Sequence, residues 1–347
     1  MIDLEKIIIS SEMLNLISEL DEFKGTWQNL RILPPDRLSA LKKIATIESI
    51  GSSTRIEGSK LSDKEVELLI SDLSEHSFSH RDEQEVAGYA SVCEKIFDHY
   101  KEISITENFF KEMHCWLLLY SDKDERHRGE YKKIPIRIEA FNELGQSVGI
   151  LFETISPLET PIKMEELINW FTHAFEKRNL HPLIAIGLFI VIFLAIHPFQ
   201  DGNGRLSRLI TTLLMMKAGY HYVLYSSLES IIEANKESYY QALQKTQKSW
   251  LKGEVDWTSW LLFFLRCLQR QKQHLETKIS QAKAMQDLYG LSRKIVDSLE
   301  SHGELKIGEI EILTQANRNT LKKTLLTLTH SKRIFRHGKG KGTWYSL

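Results

Sequence analysis

The chain has 347 residues, 42% hydrophobic and 26% charged with seven prolines, which leaves room for two or three domains and excludes a disordered or low-complexity chain. Its formal net charge of −1 hides an asymmetry, because Thr314 to Leu347 holds eight Lys/Arg and no Asp/Glu, leaving the remainder acidic. Three scattered cysteines, Cys93, Cys115 and Cys267, sit at no metal-ligand spacing and fit buried thiols in a reducing cytoplasm, and the N-terminal MIDLEKIIISSEML lacks the basic region of a secretory signal.

Apolar residues at helical spacing (Leu14, Ile17, Leu20, Phe23) predict one or two helices before Gln28. Pro34 and Pro35 break the chain, and Asp36 is placed to cap a helix carrying Leu38, Leu41, Ile44 and Ile47. The next stretch contains Ser53 and Glu57, four residues apart and so on one helical face. Ser62 and Glu65 then have the spacing of a capping box for a helix starting near Asp63. Further helices are expected over Arg81 to Tyr100 and from Thr106 through Leu117. Ile134 to Ile138 and Val148 to Phe152 flank the polar turn Glu143 to Gln146 and read as a β-hairpin. Helix returns over Met164 to Lys177.

Leu183 to Ile196 is an unbroken run of apolar or small residues. It is too short to cross a bilayer comfortably, so it reads as a buried central helix with no membrane role. Past the polar stretch His197 to Arg208, helix resumes at Leu209, with others over Ser238 to Gln247 and from Trp257 through Leu275 towards Gln286. Gly290 reads as a boundary. Beyond it, helices around Ile295 to Leu299, Ile307 to Leu313 and Thr320 to Leu328 precede a basic hairpin, Ile334 to Tyr345, in the layout of a winged helix-turn-helix.

The stretch HPFQDGNGRLSR, His197 to Arg208, concentrates groups suited to a phosphate. Gly202 and Gly204 around Asn203 allow successive N–H groups to converge on an anion, and a helix starting there adds its positive end. His197 is the one general-base candidate beside this nest, with an ordinary pKa close to working pH. Asp201 offers a hard carboxylate of the kind Mg²⁺ prefers. Arg205 and Arg208 bring two guanidinium forks to the positive end of a helix, a placement that costs energy unless an anion is bound.

These residues resemble, at every defined position, the signature HPFx(D/E)GNGRxxR of Fic-domain proteins. The resemblance implies transfer of AMP from ATP to a hydroxyl side chain of a target protein. His197 would take the hydroxyl proton and Phe199 anchor the loop, while Asp201 holds Mg²⁺. Asn203 and the amides about Gly202 and Gly204 would bind the α- and β-phosphates, with Arg208 on the γ-phosphate and Arg205 beside it. Ser53 to Gly58 is similar to the family's inhibitory motif (S/T)xxxE(G/N). On that likeness Glu57, presented on a short helix, pairs bidentately with Arg208 in place of the γ-phosphate, and a bias of about 2.8 kcal/mol would hold activity near one per cent. Tyr239 and Tyr240 sit where the family lines its adenine pocket, and the hairpin over 134–152 resembles the flap that holds a target segment by strand addition. RGEYKK, Arg128 to Lys133, is similar to the family's G-x-Y-R segment with Lys132 in place of arginine, and no role is assigned to it.

The expected fold is therefore mainly α, a Fic helical-bundle core with a small β-hairpin flap and a C-terminal winged helix-turn-helix domain. It divides into a helical region over 1–100 carrying the inhibitory motif, a core over 101–275, and a linker helix with winged domain over 276–347. In that last part Asn319 to Leu328 would be the recognition helix, with Arg318, Lys322 and Lys323 exposed and Arg336, Lys339 and Lys341 on the wing, a set suited to DNA phosphates. Two alternatives stand beside the transferase: a DNA-binding regulator whose core senses a nucleotide, and removal of AMP by the same site. Self-modification and a homodimer are compatible with either.

Overall fold

The structure is a computed structural model describing residues 7–29, 34–71, 78, 80–141, 147–177, 179–251 and 255–347, without the side chains of 28–29, 138–151, 251, 283–289 and 341. The Glu143 to Gln146 turn thus lies outside the described residues. Thirteen α-helices and five short strands are described, in two compact units that divide after Leu275.

In the first unit, the apolar run folds as expected into α7 (Pro182–Ile196), with Leu183 through Ile196 all buried. Pro182 at its first turn costs no hydrogen bond, and His181 accepts from the Leu183 N–H as N-cap. Helix α7 packs on α6 (Thr160–Lys177), α8 (Asn203–Lys217) and α10 (Lys236–Leu251). A further close approach comes at Gly187, whose carbonyl accepts from Trp260 Nε1 at 2.6 Å; any side chain there would press on Leu261 and Phe264. Each fully buried Leu, Ile or Phe of α7 contributes about 1.5–3 kcal/mol, so this core gives the loop after α7 its rigid base.

Helices α1 (Ser11–Asn29), α2 (Pro35–Ile56), α3 (Asp63–Ser71), α4 (Arg81–His99) and α5 (Glu107–Leu117) precede it. Asp36 lies inside the first turn of α2 rather than capping it, because Pro35 itself opens the helix. Ser62 and Glu65 exchange the expected capping-box bonds at the start of α3. Helices α4 and α5 touch at Gly88, where a Cβ would overlap the Leu117 carbonyl. The hairpin is present as β1 (Arg137–Phe141) and β2 (Ser147–Glu153), antiparallel with two register shifts. Helices α9 (Leu228–Glu233) and α10 then lead to α11 (Trp257–His302). Gly290 is not a helix boundary: α11 passes through it unbroken, since one exposed glycine costs only about 1 kcal/mol in a long helix.

The second unit has a core of its own, built from Leu291, Ile295, Leu299, Leu305, Ile310, Leu321, Leu325, Leu328, Ile334 and Tyr345. Its elements are the end of α11, β3 (Leu305–Lys306), α12 (Ile307–Thr314), α13 (Arg318–His330), β4 (Phe335–His337) and β5 (Trp344–Ser346), the strands forming an antiparallel sheet in the order β3-β5-β4. No helix among the described residues is long and apolar enough to cross a membrane.

Candidate active site

The site begins where α7 ends. His197 is the C-cap of α7, in the left-handed region at φ 53°, with its N–H donating to the Phe193 carbonyl at 2.8 Å. For a non-glycine residue this conformation costs roughly 1–2 kcal/mol and turns the chain sharply off the helix. Phe199, fully buried, then stacks on the His114 ring at 3.9 Å. Asn203 closes the loop: its Oδ1 accepts from Phe199 N–H at 3.0 Å and its Nδ2 donates to the Phe199 carbonyl at 2.7 Å. The Asn203 side chain is thereby committed to the loop, and what it can offer a phosphate is its backbone N–H. Gly202, at φ 81°, is the N-cap of α8, so the first amides of that helix lack intrahelical acceptors and face this spot with the positive helix end.

His114 was not singled out from the sequence. Its Nδ1 accepts from Gly129 N–H at 3.0 Å, which leaves Nε2 as the donor to the Asp201 carbonyl at 3.1 Å. Burial, aided by Arg205, lowers its pKa to about 4, so it stays neutral and keeps both bonds. Lys132, left without a role, is buried as well: its Nζ donates to the last carbonyl of α7, Ile196, and to Thr154 Oγ1, both at 2.8 Å. Burial brings this ammonium down to about 8. Both residues hold the backbone around His197 from segments distant in sequence, a relation no local pattern signals.

His197 itself is half-buried, with Nδ1 3.4 Å from the Leu194 carbonyl. Burial and the nearby Lys132 charge push its pKa down to about 4, so the neutral base form prevails at neutral pH. Glu57 and Asp201 are near enough to act on it in the opposite sense.

Arg208, one turn along α8, is buried and needs a counter-charge. Its Nη2 reaches Glu57 Oε1 at 2.7 Å and the Ser53 carbonyl at 2.9 Å, and its Nε donates to Ser53 Oγ at 2.7 Å. Burial works against the guanidinium charge, but Glu57 outweighs it, with Tyr239 and Tyr89 assisting, and holds the pKa above the usual value. The Glu57 pair is a single contact rather than the expected bidentate one: Nη2 is shared with the Ser53 carbonyl, and Nε is turned to the Ser53 hydroxyl. The motif also ends a 22-residue helix rather than occupying a short one. Ser53 belongs to the last turn of α2, whose carbonyls lack partners, so Arg208 caps that helix while Glu57 projects just past it. Glu57 Oε1 lies so close over Gly204 that a Cβ there would overlap it. Arg208 Nη1 is buried without a partner among the described groups, a donor left for another anion.

Arg205 has charged partners of its own within the site. It is buried and turned to Asp201 Oδ1 at 3.2 Å and Glu85 Oε2 at 3.4 Å. Asp201 also accepts from Gly202 N–H at 2.5 Å, and Arg81 Nη2 lies 3.3 Å from its Oδ2. Burial raises the Asp201 pKa, yet Arg205, the Gly202 amide, Arg81 and Lys123 together lower it below the usual value. Tyr239 is buried against Trp260 and Phe263, and it and the more open Tyr240 both interact with Glu57 and Arg208. The structure therefore gathers His197, Asp201, Gly202, Gly204, Arg208, Tyr239, Tyr240, Ser53 and Glu57 in one place.

Residues 104–215, which include the whole loop, match the model of the Fic/DOC family. The chain carries a Fic domain. The Fic adenylyltransferase of Drosophila mojavensis is 31% identical over 114 residues, 33% of this chain and 20% of that protein. That of Culex quinquefasciatus is 26% identical over 236 residues, 67% of this chain and 42% of that protein. The chain thus spans less than half the length of either relative. Among solved structures, a Fic family protein from Desulfovibrio desulfuricans superimposes with a TM-score of 0.62 at 24% identity, covering 99% of this chain and 97% of that one. A Fic domain protein from Bacteroides thetaiotaomicron gives 0.61 at 24% identity, over 77% and 98%. Both likenesses concern the fold, and they extend the Fic architecture well beyond the matched segment.

Proposed function

We propose that this chain transfers AMP from ATP to a hydroxyl side chain (Ser, Thr or Tyr) of a target protein, and that its resting state is autoinhibited. The observation that carries the reading is the seat of Glu57: an internal carboxylate lies over Gly204 at the N-terminus of α8 and pairs with buried Arg208, so the protein's own anion fills an anion site. The curated relatives named above as adenylyltransferases support the same chemistry.

With Glu57 withdrawn, the γ-phosphate takes its place on Arg208, where unpartnered Nη1 offers a further donor. The α8 amides receive the phosphates nearer the sugar, and Tyr239 and Tyr240 border the base. A target segment added along the 134–152 hairpin brings its hydroxyl to the α-phosphorus. Oxygen forms the new bond to phosphorus as the bond to the β-phosphate oxygen breaks, the hydroxyl proton passes to neutral His197, and pyrophosphate leaves. Asp201 suits Mg²⁺, a hard cation that one carboxylate plus substrate phosphates can hold. When bound, such a cation neutralises charge on the departing pyrophosphate.

The test is incubation with ATP labelled at the α-phosphate. Weak self-labelling is expected, raised by up to about 100-fold in Glu57→Gly and abolished in His197→Ala. Silence of Glu57→Gly with ATP, UTP, GTP and CTP, in the presence of candidate targets, would overturn the reading.

A separate observation favours a nucleic-acid role for residues 276–347, read as a winged helix-turn-helix. On α13 Arg318, Lys322 and Lys323 are exposed, as are Arg336 and Lys339 on and beside β4; the Lys341 side chain lies outside the described set. Duplex DNA affinity should fall steeply with salt, and absence of binding at low salt removes this role.

A further inference from the structure

Asp201 is enclosed by a closed ring of ion pairs. Arg81 Nη2 lies 3.3 Å from its Oδ2, Arg81 Nε lies 2.7 Å from Glu85 Oε1, Glu85 Oε2 lies 3.4 Å from Arg205 Nη1, and Arg205 Nη2 returns to Asp201 Oδ1 at 3.2 Å. The four charges alternate and cancel. With Gly202 N–H also on Oδ1, both carboxylate oxygens have partners, although the Asp201 side chain is still 34% exposed, so a divalent ion reaching it must compete with charges already in place. The members differ in freedom: the Arg205 and Glu85 side chains are 2% and 8% exposed, Arg81 58%. Glu85 holds Arg81 one turn back on the same helix, so that guanidinium can leave Asp201 and keep its stronger partner.

We propose that Arg81 is a gate on the cation site: its guanidinium stands on Asp201 in the resting chain, competes with the divalent ion, and retires to Glu85 when the ion arrives with a nucleotide. The inference rests on the proposed function, in which Asp201 is the cation ligand. It makes Arg81 the counterpart of Glu57, since one side chain fills the place of the metal and the other that of a phosphate, both from the segment preceding the matched family region. Arg205 stays, because removing it would strand a buried carboxylate.

The experiment measures free Mn²⁺ by electron paramagnetic resonance during titration of the full chain with α,β-methylene-ATP, in a Glu57→Gly background so that the nucleotide site is open. Arg81→Gln should lower the half-saturating Mn²⁺ concentration by about two- to fivefold, the range expected of one exposed pair. The gap should narrow at high ionic strength, and Arg81→Lys, which keeps the charge, should stay near the parent. Superimposable curves for the parent and Arg81→Gln, or weaker Mn²⁺ binding in Arg81→Gln, overturn the gate. Asp201→Ala separates the two claims: it should abolish the nucleotide-dependent Mn²⁺ uptake, and if it does not, Asp201 is no cation ligand and the gate falls with that assignment.

Discussion

The two ends of the loop are closed in opposite ways. At Arg208 a buried cation is covered by an anion from the end of α2, and the contact is reinforced by the Ser53 hydroxyl and carbonyl. At Asp201 a partly open carboxylate is covered by an arginine that is itself mostly exposed. Desolvation strengthens the first contact and solvent screens the second, so the Glu57 block should be strong and the Arg81 block weak. On the proposed function, nucleotide entry would then be governed chiefly by α2, and the cation site would supply only a modest additional threshold.

The largest test concerns the backbone beneath the Asp201 end. His114 is buried with a pKa of about 4, against about 6.5 in the unfolded chain. Between these values the unfolded chain binds a proton that the folded chain refuses, so stability falls as pH drops from about 6.5 to about 4 and changes no further below that. The loss approaches about 3 kcal/mol for this residue alone. His114→Gln keeps a donor and an acceptor but cannot titrate, so its urea midpoint should fall less between pH 7 and pH 4.5 than that of the parent. A residual slope from His197, shifted in the same direction, will remain. Equal slopes for the two proteins would show that His114 does not support the loop as described.

At the other end, Arg208→Lys in the Glu57→Gly background retains a charge but not the fork that reaches Ser53 and one phosphate together. ATP affinity should fall by about ten- to thirtyfold while AMP affinity changes little, as calorimetry can establish. Equal losses for ATP and AMP would move the γ-phosphate away from Arg208.

How much of this was legible in the sequence depends on the reach of local patterns. The α7 run, the Gly202 turn, the capping box at Ser62 and the pairing of Glu57 with Arg208 are each announced by spacing or by a motif. Helix α4 shows the limit. Arg81 and Glu85 stand at i and i+4, a spacing common to any helical ion pair, and only tertiary placement makes Glu85 a buried partner of Arg205, 120 positions later. His114 and Lys132 are likewise polar residues in stretches with no motif of their own. Arg205 and Asn203 do something the motif does not announce: it marks them for phosphates, while the fold also uses their side chains to hold Asp201 and Phe199. Gly290 misled too, since a single glycine is a weak breaker inside a 46-residue helix.

The smallest and most discriminating change is Glu57→Gln, because it alters charge without altering shape. The amide can still reach Arg208 Nη2 through its oxygen and still crowd Gly204, so a purely steric block would leave labelling at the parent level. If charge on a buried guanidinium carries the inhibition, a neutral acceptor loses roughly half the strength of the contact. About 1.4 kcal/mol of the bias is then lost, and labelling from α-labelled ATP should rise about tenfold, midway between the parent and Glu57→Gly. A rise equal to that of Glu57→Gly would assign the whole block to charge, and no rise would assign it to volume. The intermediate value is expected because Glu57 both pairs with Arg208 and fills the space above Gly204.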